Sequence, residues 1–502
     1  MLSFVTNIFK KKPKSSTETS NNGSGGLQGE SKSFGAIGII PSMSIPHIDA
    51  SYQSQDTKFR KDQATFYTAK FKEMIKARIA YRNDKSEPTS FSLLEASQAV
   101  LFSFGETSSM RGLGDNWIAI SDAENPAYIR SPFKISSVVM GYTEAIAITE
   151  DGFALGCGSN SNGQVGVDRS ESELKDFKIF SELIPHFIVQ ASCGYYFTLF
   201  LSKEGDVYGC GDNSHGQLSE GYKGLTHKID IPEKIRSIHA GYYHSIFVSF
   251  DGNAYCCGQG FGRAITKITG IPKLISASGG YDYSFFITDQ GEVYACGELG
   301  HMLFGSANGK HTTKKVEGFN HKVVTADSGY YHTLFTTQEG VVYSCGRNQY
   351  NCLNRKSESG AEDCRLFEHK NFKNIVQVSC GGYHSAALDS EGKAYLFGHS
   401  GFNQSTKEEQ NQPGILKTQT TLSEMNLFPD SMKINSGGNI QLKAVCVACG
   451  GWNTMVACSP YLPIFTSKSE KEMLAKLKTY LHESPENHQL FDIDIIITNP
   501  VM

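Results

Sequence analysis

Short apolar runs separated by glycine turns dominate the middle of the chain. Stretches such as TLFLS from Thr198 and TLFTT from Thr333 lead to a turn with an acidic or polar residue before glycine: Asp151, Glu204, Asp251, Gln290, Glu339 and Glu391. A second apolar run follows, reading VYGCG, AYCCG, VYACG, VYSCG or AYLFG. Strand, glycine turn and strand predict a β-hairpin, because glycine accepts the positive φ of a tight turn without a steric cost. One ruler governs six copies, in which a glycine is followed eleven residues on by a second and seventeen residues on by a third. The triplets are Gly141, Gly152, Gly158; Gly194, Gly205, Gly211; Gly241, Gly252, Gly258; Gly280, Gly291, Gly297; Gly329, Gly340, Gly346; and Gly381, Gly392, Gly398.

A seventh copy starts at Cys449-Gly450-Gly451-Trp452 and stops at Cys458, before its second strand. The missing half stands at the other end, in Val100-Leu101-Phe102-Ser103-Phe104-Gly105, with a loop-like Gly112-Leu113-Gly114 after it. Pairing the two halves in one sheet closes a ring and removes exposed sheet edges. The expected fold is therefore all-β, a seven-bladed β-propeller closed by pairing N- and C-terminal strands, with short helical N- and C-terminal extensions. The repeated Tyr208, Tyr255, Tyr294, Tyr343 and Tyr395, and the repeated Cys157, Cys210, Cys257, Cys296 and Cys345, are expected to pack the blades.

The flanks read differently. Residues 1–33 form a polar tail in which Lys10, Lys11, Lys12 and Lys14 follow an apolar start; a solvated tail, a nuclear signal and an organelle or membrane-surface address all fit it. Residues 34–97 form an arm whose Phe59, Phe66, Tyr67, Phe71, Met74, Ile75 and Ile79 predict a basic amphipathic helix, apolar stripe inward and lysines in solvent. The propeller takes residues 98–459. Residues 460–502 hold a short helix over Lys468 to His482 and a strand or docking peptide over Asp492 to Thr498. The polar insertion from Ser405 to Gly438 reads as a linker or a partner contact.

Composition narrows the function. With 47 basic and 51 acidic residues there is no global attraction to nucleic acid, and no run of about 18 apolar residues predicts a membrane helix. The 13 cysteines fit reduced, buried thiols of a cytoplasmic or nuclear protein. Cys446 and Cys449 have C-x-x-C spacing but lack the second pair that a zinc site wants, so no metal is expected. No phosphate-gripping loop, nucleophile triad or zinc helix motif stands out, so neither a cofactor nor a catalytic residue is expected. Three positions after each first glycine stand Glu144, Phe197, His244, Tyr283, His332, His384 and Asn453. Their periodic placement favours histidines that hydrogen-bond the blade's own loop.

Cys380-Gly381-Gly382-Tyr383-His384-Ser385, and Asp212-Asn213-Ser214-His215-Gly216-Gln217-Leu218, resemble the repeat of the regulator-of-chromosome-condensation family over about residues 98–459. Kelch and WD-repeat propellers want a tryptophan in most blades, and this chain has only Trp117 and Trp452. The resemblance implies a protein-binding propeller with guanine-nucleotide exchange on a small GTPase as its most specific form, as on Ran for the founding member. It also implies a partner-binding face holding His244, His332, His384 and Asp282. Tyr196, Tyr243, Tyr331 and Trp452, beside the same glycines, add an aromatic surface suited to hot-spot contacts. The alternative is a non-catalytic scaffold or adaptor, including an organellar or ubiquitin-pathway adaptor, that binds partners on the same face.

Overall fold

The computed structural model describes residues 57–66, 68–69, 99–105, 127–131, 134–167, 169–222, 224–297, 313–355, 365–398, 420–421, 441–451 and 453–461. The tail, the C-terminal extension, most of the Ser405 to Gly438 insertion, the Gly112 to Gly114 loop and Trp452 lie outside the described residues.

The architecture is an all-β propeller. Its strands form seven four-stranded antiparallel sheets. Six of these, here sheets I to VI, use four strands consecutive in the chain, and their first strands are Ile135–Met140, Ile188–Cys193, Ile235–Ala240, Leu274–Gly279, Val323–Ser328 and Ile375–Cys380. The seventh is composite. Its order places Ala127–Ser131 beside Ala99–Gly105, then Asn453–Tyr461 and Gln441–Cys449, so that Leu101 opposes Ala457 and Gly105 opposes Asn453. The first strand of each sheet contacts that of the next, and the composite sheet's Gln441–Cys449 contacts the first strands of sheets I and VI.

Each hairpin turn is built alike. In sheet II the Asp206 amide donates to Ser202 Oγ (3.2 Å) and the Gly205 amide to Ser202 O (3.0 Å). Thr149, Ser249, Thr288, Thr337 and Asp389 repeat the side-chain cap in the other sheets. Gly205 sits at φ +80°, in the region that only glycine enters freely. Its carbonyl accepts the Ile235 amide of the next sheet at 2.9 Å.

Apolar faces then close between sheets. Phe197, Leu199 and Leu201 of sheet II pack with Ile235, Ile238 and Phe247 of sheet III, and Leu101, Cys446 and Met455 of the composite sheet pack with Val138, Ala147 and Leu155 of sheet I. Each fully buried side chain of this size is worth about 1.5–3 kcal/mol relative to exposure. The repeated tyrosines Tyr208, Tyr255 and Tyr343 are buried, with hydroxyls on His186, Glu233 and Glu368. The asparagine of the N-x-x-G-Q loops is structural too. Asn213 Nδ2 donates to Ser219 O while its Oδ1 accepts the Leu218 amide, both at 2.8 Å. The next sheet then seats on the loop through Ser245 Oγ to Gln217 O (2.6 Å).

The N-terminal arm corrects an expectation. Residues 57–66 are helical, yet Phe59 and Phe66 are 64% and 61% exposed, while Arg60 and Ala64 are buried against the propeller. Phe59 and Phe66 face outward because backbone carbonyls of sheets I and II receive Arg60 from this helix; Tyr67, Phe71, Met74, Ile75 and Ile79 lie outside the described residues.

Eleven of the twelve described cysteines are buried, and Cys193 is half-buried. Burial pushes the Cys257, Cys296, Cys352, Cys449 and Cys458 thiols up to about 12, which removes the reactive thiolate at neutral pH. With a thiol reagent at pH 8, the eleven buried cysteines should stay unmodified in the folded protein and react after unfolding. Rapid modification of half or more under native conditions would contradict the packing.

Candidate functional site

The loops between the first and second strands of every sheet emerge at one end of the propeller, opposite the hairpin turns. In sheets I to V a tyrosine follows the first glycine: Tyr142, Tyr195, Tyr242, Tyr281 and Tyr330. Tyr196, Tyr243, Tyr331 and Tyr383 occupy the next position. All nine are half-buried. They form one belt in which Tyr195 and Tyr242 stack at 4.1 Å, Tyr142 and Tyr195 lie at 4.6 Å, Tyr242 and Tyr281 at 4.4 Å, and Tyr281 and Tyr331 at 5.6 Å. Tyr330 then meets Tyr383 edge-on at 5.8 Å.

Where the belt lacks a first-position side chain, its neighbours lean in. A Cβ on Gly382 would come within 3.0 Å of the Tyr330 ring, and one on Gly451 within 2.5 Å of the Tyr142 ring. At the belt opens a small cavity of about 70 Å³, lined by the backbone at the first glycines and by Tyr142, Tyr195, Tyr242, Tyr281 and Tyr330. Burial, followed by neighbouring phenols, holds the Tyr243 and Tyr331 hydroxyls above their ordinary range. These two hydroxyls are thus uncharged at neutral pH and able to donate and accept.

Several expected face residues separate here. Tyr196, Tyr243 and Tyr331 belong to the belt, and half-buried Asp282 lies near enough to Tyr331 for its charge to help raise that phenol. The histidines do not reach the surface. His244, His332 and His384 are 2%, 1% and 3% exposed, and each leaves its own blade to bond the next sheet: His244 Nε2 with Ser284 Oγ (2.9 Å), His332 Nε2 with Ser385 Oγ (2.8 Å), and His384 Nε2 with Asn453 O (3.2 Å). The expectation that they bond their own loops is therefore corrected as well. The reason is geometric, since each ring lies under the first glycine of its repeat; a Cβ on Gly241 would sit 2.1 Å from the His244 ring.

Tyr283 fills the same slot with its hydroxyl 3.1 Å from Gly329 O and 3.0 Å from His332 O. Ser385 gives its proton to Cys352 O (2.9 Å), so His332 donates from Nε2 as the neutral tautomer. Three residues extend the face that no repeat position announces. Arg347 lies over the Tyr331 ring (5.2 Å), His215 over Tyr243 (4.4 Å), and Tyr350, 52% exposed, meets Tyr383 at 5.6 Å. They come from the loops after the third strands, whose paths the glycine ruler does not set.

These clasps titrate in opposite directions. Burial lowers the imidazoles of His244 to about 4 and His332 to about 3. Protons then favour the unfolded chain, so this stability is complete above about pH 6.5 and drains away as pH falls towards 3–4. In the same slot of sheet I, Glu144 is pushed up to about 8 by burial, with only the Thr143 amide (3.1 Å) and hydroxyl (3.3 Å) on its Oε2. Its contribution is full below the ordinary carboxylate pKa and is lost as pH rises through 8. Glu144→Gln should therefore raise the melting temperature by about 2 °C or more at pH 8 and change it little at pH 4. His332→Ala should cost about 2–3 kcal/mol at pH 7.5 in denaturant unfolding, and less at pH 5. Equal effects at both pH values would remove titration from the account.

The comparisons with known proteins bear on this fold and face. Residues 100–456 match the model of the RCC1-like domain. Over 121 residues the chain is 33% identical to the secretion-regulating guanine nucleotide exchange factor of Bos taurus, covering 24% of this chain and 26% of that protein. Over 104 residues it is 32% identical to the probable E3 ubiquitin-protein ligase HERC6 of Homo sapiens, covering 21% and 10%. The matches thus span about a quarter or less of these curated relatives. Among solved structures, human WBSCR16 superposes with a TM-score of 0.57 at 19% identity, over 72% of this chain and all of that one. Prp20p of Saccharomyces cerevisiae superposes with a TM-score of 0.57 at 18% identity, over 79% and 99%. At such identities the likeness is one of fold. The match to the domain model covers well over half of the 502 residues, and the chain belongs to the RCC1-like domain family.

Proposed function

We propose that residues 98–459 form a seven-bladed ring, closed by the composite sheet, whose tyrosine face receives a protein partner, with guanine-nucleotide release from a small GTPase as the specific form of that binding. The observation that carries the reading is the belt itself. Nine half-buried tyrosines from six consecutive sheets make one continuous aromatic surface, and such rings supply large contact area at low entropic cost. Support for closure comes from the Gly451 amide donating to Gly141 O (3.1 Å), which joins the composite sheet to sheet I.

Support for the exchange form comes from the relative named as a guanine nucleotide exchange factor and from the binding of Prp20p to Gsp1p and histones. Exchange needs no bond-making residue. A factor that binds the nucleotide-free GTPase more tightly than the loaded one expels nucleotide by that difference alone. The buried histidines shape the face from below, which leaves Asp282 and the tyrosines to touch the partner. A second reading, an adaptor indifferent to nucleotide, draws on the resemblance to a ubiquitin-ligase relative.

The deciding assay is release of a fluorescent guanine nucleotide from a panel of small GTPases, with the intact chain and with Tyr196→Ala, Tyr243→Ala and Tyr331→Ala combined. Exchange through this face predicts acceleration by the intact chain and a loss of about tenfold or more in the variant, at unchanged melting temperature. No acceleration across the panel sinks the exchange reading, and the same triple variant then serves in affinity capture to test the adaptor.

A further inference from the structure

The end of the propeller opposite the tyrosines carries a contact that the exchange reading does not use. Arg60, only 7% exposed, projects from the helix of residues 57–66 into a ring of backbone carbonyls. Its Nε donates to Ile184 O (2.8 Å), Nη1 to Asp151 O (3.1 Å), and Nη2 to His186 O (3.0 Å) and Gly152 O (3.3 Å). The guanidinium also lies over the Phe153 ring at 4.6 Å and the Phe187 ring at 5.4 Å.

We propose that this is a guanidinium receptor built into sheets I and II, filled in cis by the chain's own helix and able to take the arginine of a helical peptide in trans once that helix is withdrawn.

The receptor is held in place by bonds that do not involve Arg60. Gly152 O already accepts the Ile188 amide (3.0 Å), the His186 amide donates to Leu183 O (2.9 Å), and the Lys203 amide donates to Phe187 O (2.8 Å). Ile184 caps the one-turn helix Ser181–Leu183, which fixes the course of the chain that presents its carbonyl. A planar fork of donors between two aromatic rings matches this site, whereas an ammonium is a point charge that cannot reach four carbonyls spread around it.

Among the described residues of the helix, Arg60 makes the deepest contact with the propeller. Of its larger apolar residues, Phe59 and Phe66 face solvent, and Ala64 alone is buried beside Arg60. Helices draw most of their stability from tertiary packing rather than propensity, so the docked Arg60 contributes to the order of this one.

Hydrogen exchange on the full chain is the test. Arg60→Ala and Arg60→Lys should each speed exchange of amides 61–69 at least tenfold, while the strands of sheets I and II keep their protection and report an intact fold. A labelled peptide with the sequence of residues 57–69 should then bind the Arg60→Ala chain, leave the wild-type chain unbound, and lose binding when its own arginine is replaced by alanine. Unchanged protection of 61–69 in Arg60→Ala would overturn the latch. A peptide that binds wild type and variant alike, or binds neither, would overturn the receptor in trans.

Discussion

One hydrogen bond, repeated from sheet to sheet, sets the rest of the molecule. The carbonyl of each turn glycine accepts an amide of the next sheet's first strand, from its first residue in five cases: Gly152 from Ile188, Gly205 from Ile235, Gly252 from Leu274, Gly291 from Val323, Gly340 from Ile375, and, inside the longer strand of the composite sheet, Gly392 from Ala444, at 2.9–3.2 Å. The bond requires the left-handed turn that glycine adopts, and it fixes where the next sheet begins. Side chains can then interdigitate in a core between sheets rather than within one. A second point of registry lies at the far end of four sheets, where the slot side chains His244, Tyr283, His332 and His384 cross beneath the first glycine to the neighbouring sheet. Between the two, sheets III to VI are pinned to a neighbour at both ends.

Such pinning frees the loop residues from structural duty. The backbone of the first-glycine loop is held by bonds such as Gly241 N to His244 O (2.8 Å), so the two side chains after that glycine are free to vary. In this chain both positions run to tyrosine. On the opposite end the hairpin turns keep exposed acidic residues, and the one deep contact among the described residues is made by an arginine against carbonyls. The two ends of one repeat thus carry different chemistry because different loop positions are released from the core.

How much of this was legible follows from the same division. The glycine ruler, the tyrosine and cysteine core slots and the split sheet are periodic consequences of backbone geometry, and periodicity is what a single sequence displays. Buried His244 and His332 also recur, and recurrence pointed rightly to structure; the partner was out of reach, because it sits about forty or fifty residues away in the next sheet. The arm misled for a related reason. A 3.6-residue apolar stripe predicts burial only when an apolar groove awaits it, and beside Phe59 and Phe66 sheets I and II offer carbonyls to Arg60 instead. Arg347, His215 and Tyr350 were unreadable as face residues, since they lie on loops whose course depends on local turns such as the left-handed Tyr350 at φ 57°.

The chemistry of the belt constrains what kind of recognition it can perform. Burial and neighbouring phenols hold the Tyr243 and Tyr331 hydroxyls protonated, so a partner would meet apolar ring area and neutral hydroxyls there, with Asp282 and Arg347 beside Tyr331. Charge steering accelerates encounter between oppositely charged surfaces and fades with salt. A neutral belt gains little from it, so affinity on this face has to arise from shape fit and from slow departure once the rings are desolvated. The stacking of Tyr195 on Tyr242 and the leaning of Tyr142 and Tyr330 over bare glycines hold the rings in place before a partner arrives. Such preorganisation lowers the entropy lost on binding, and it depends on the glycines at 382 and 451 as much as on the tyrosines themselves.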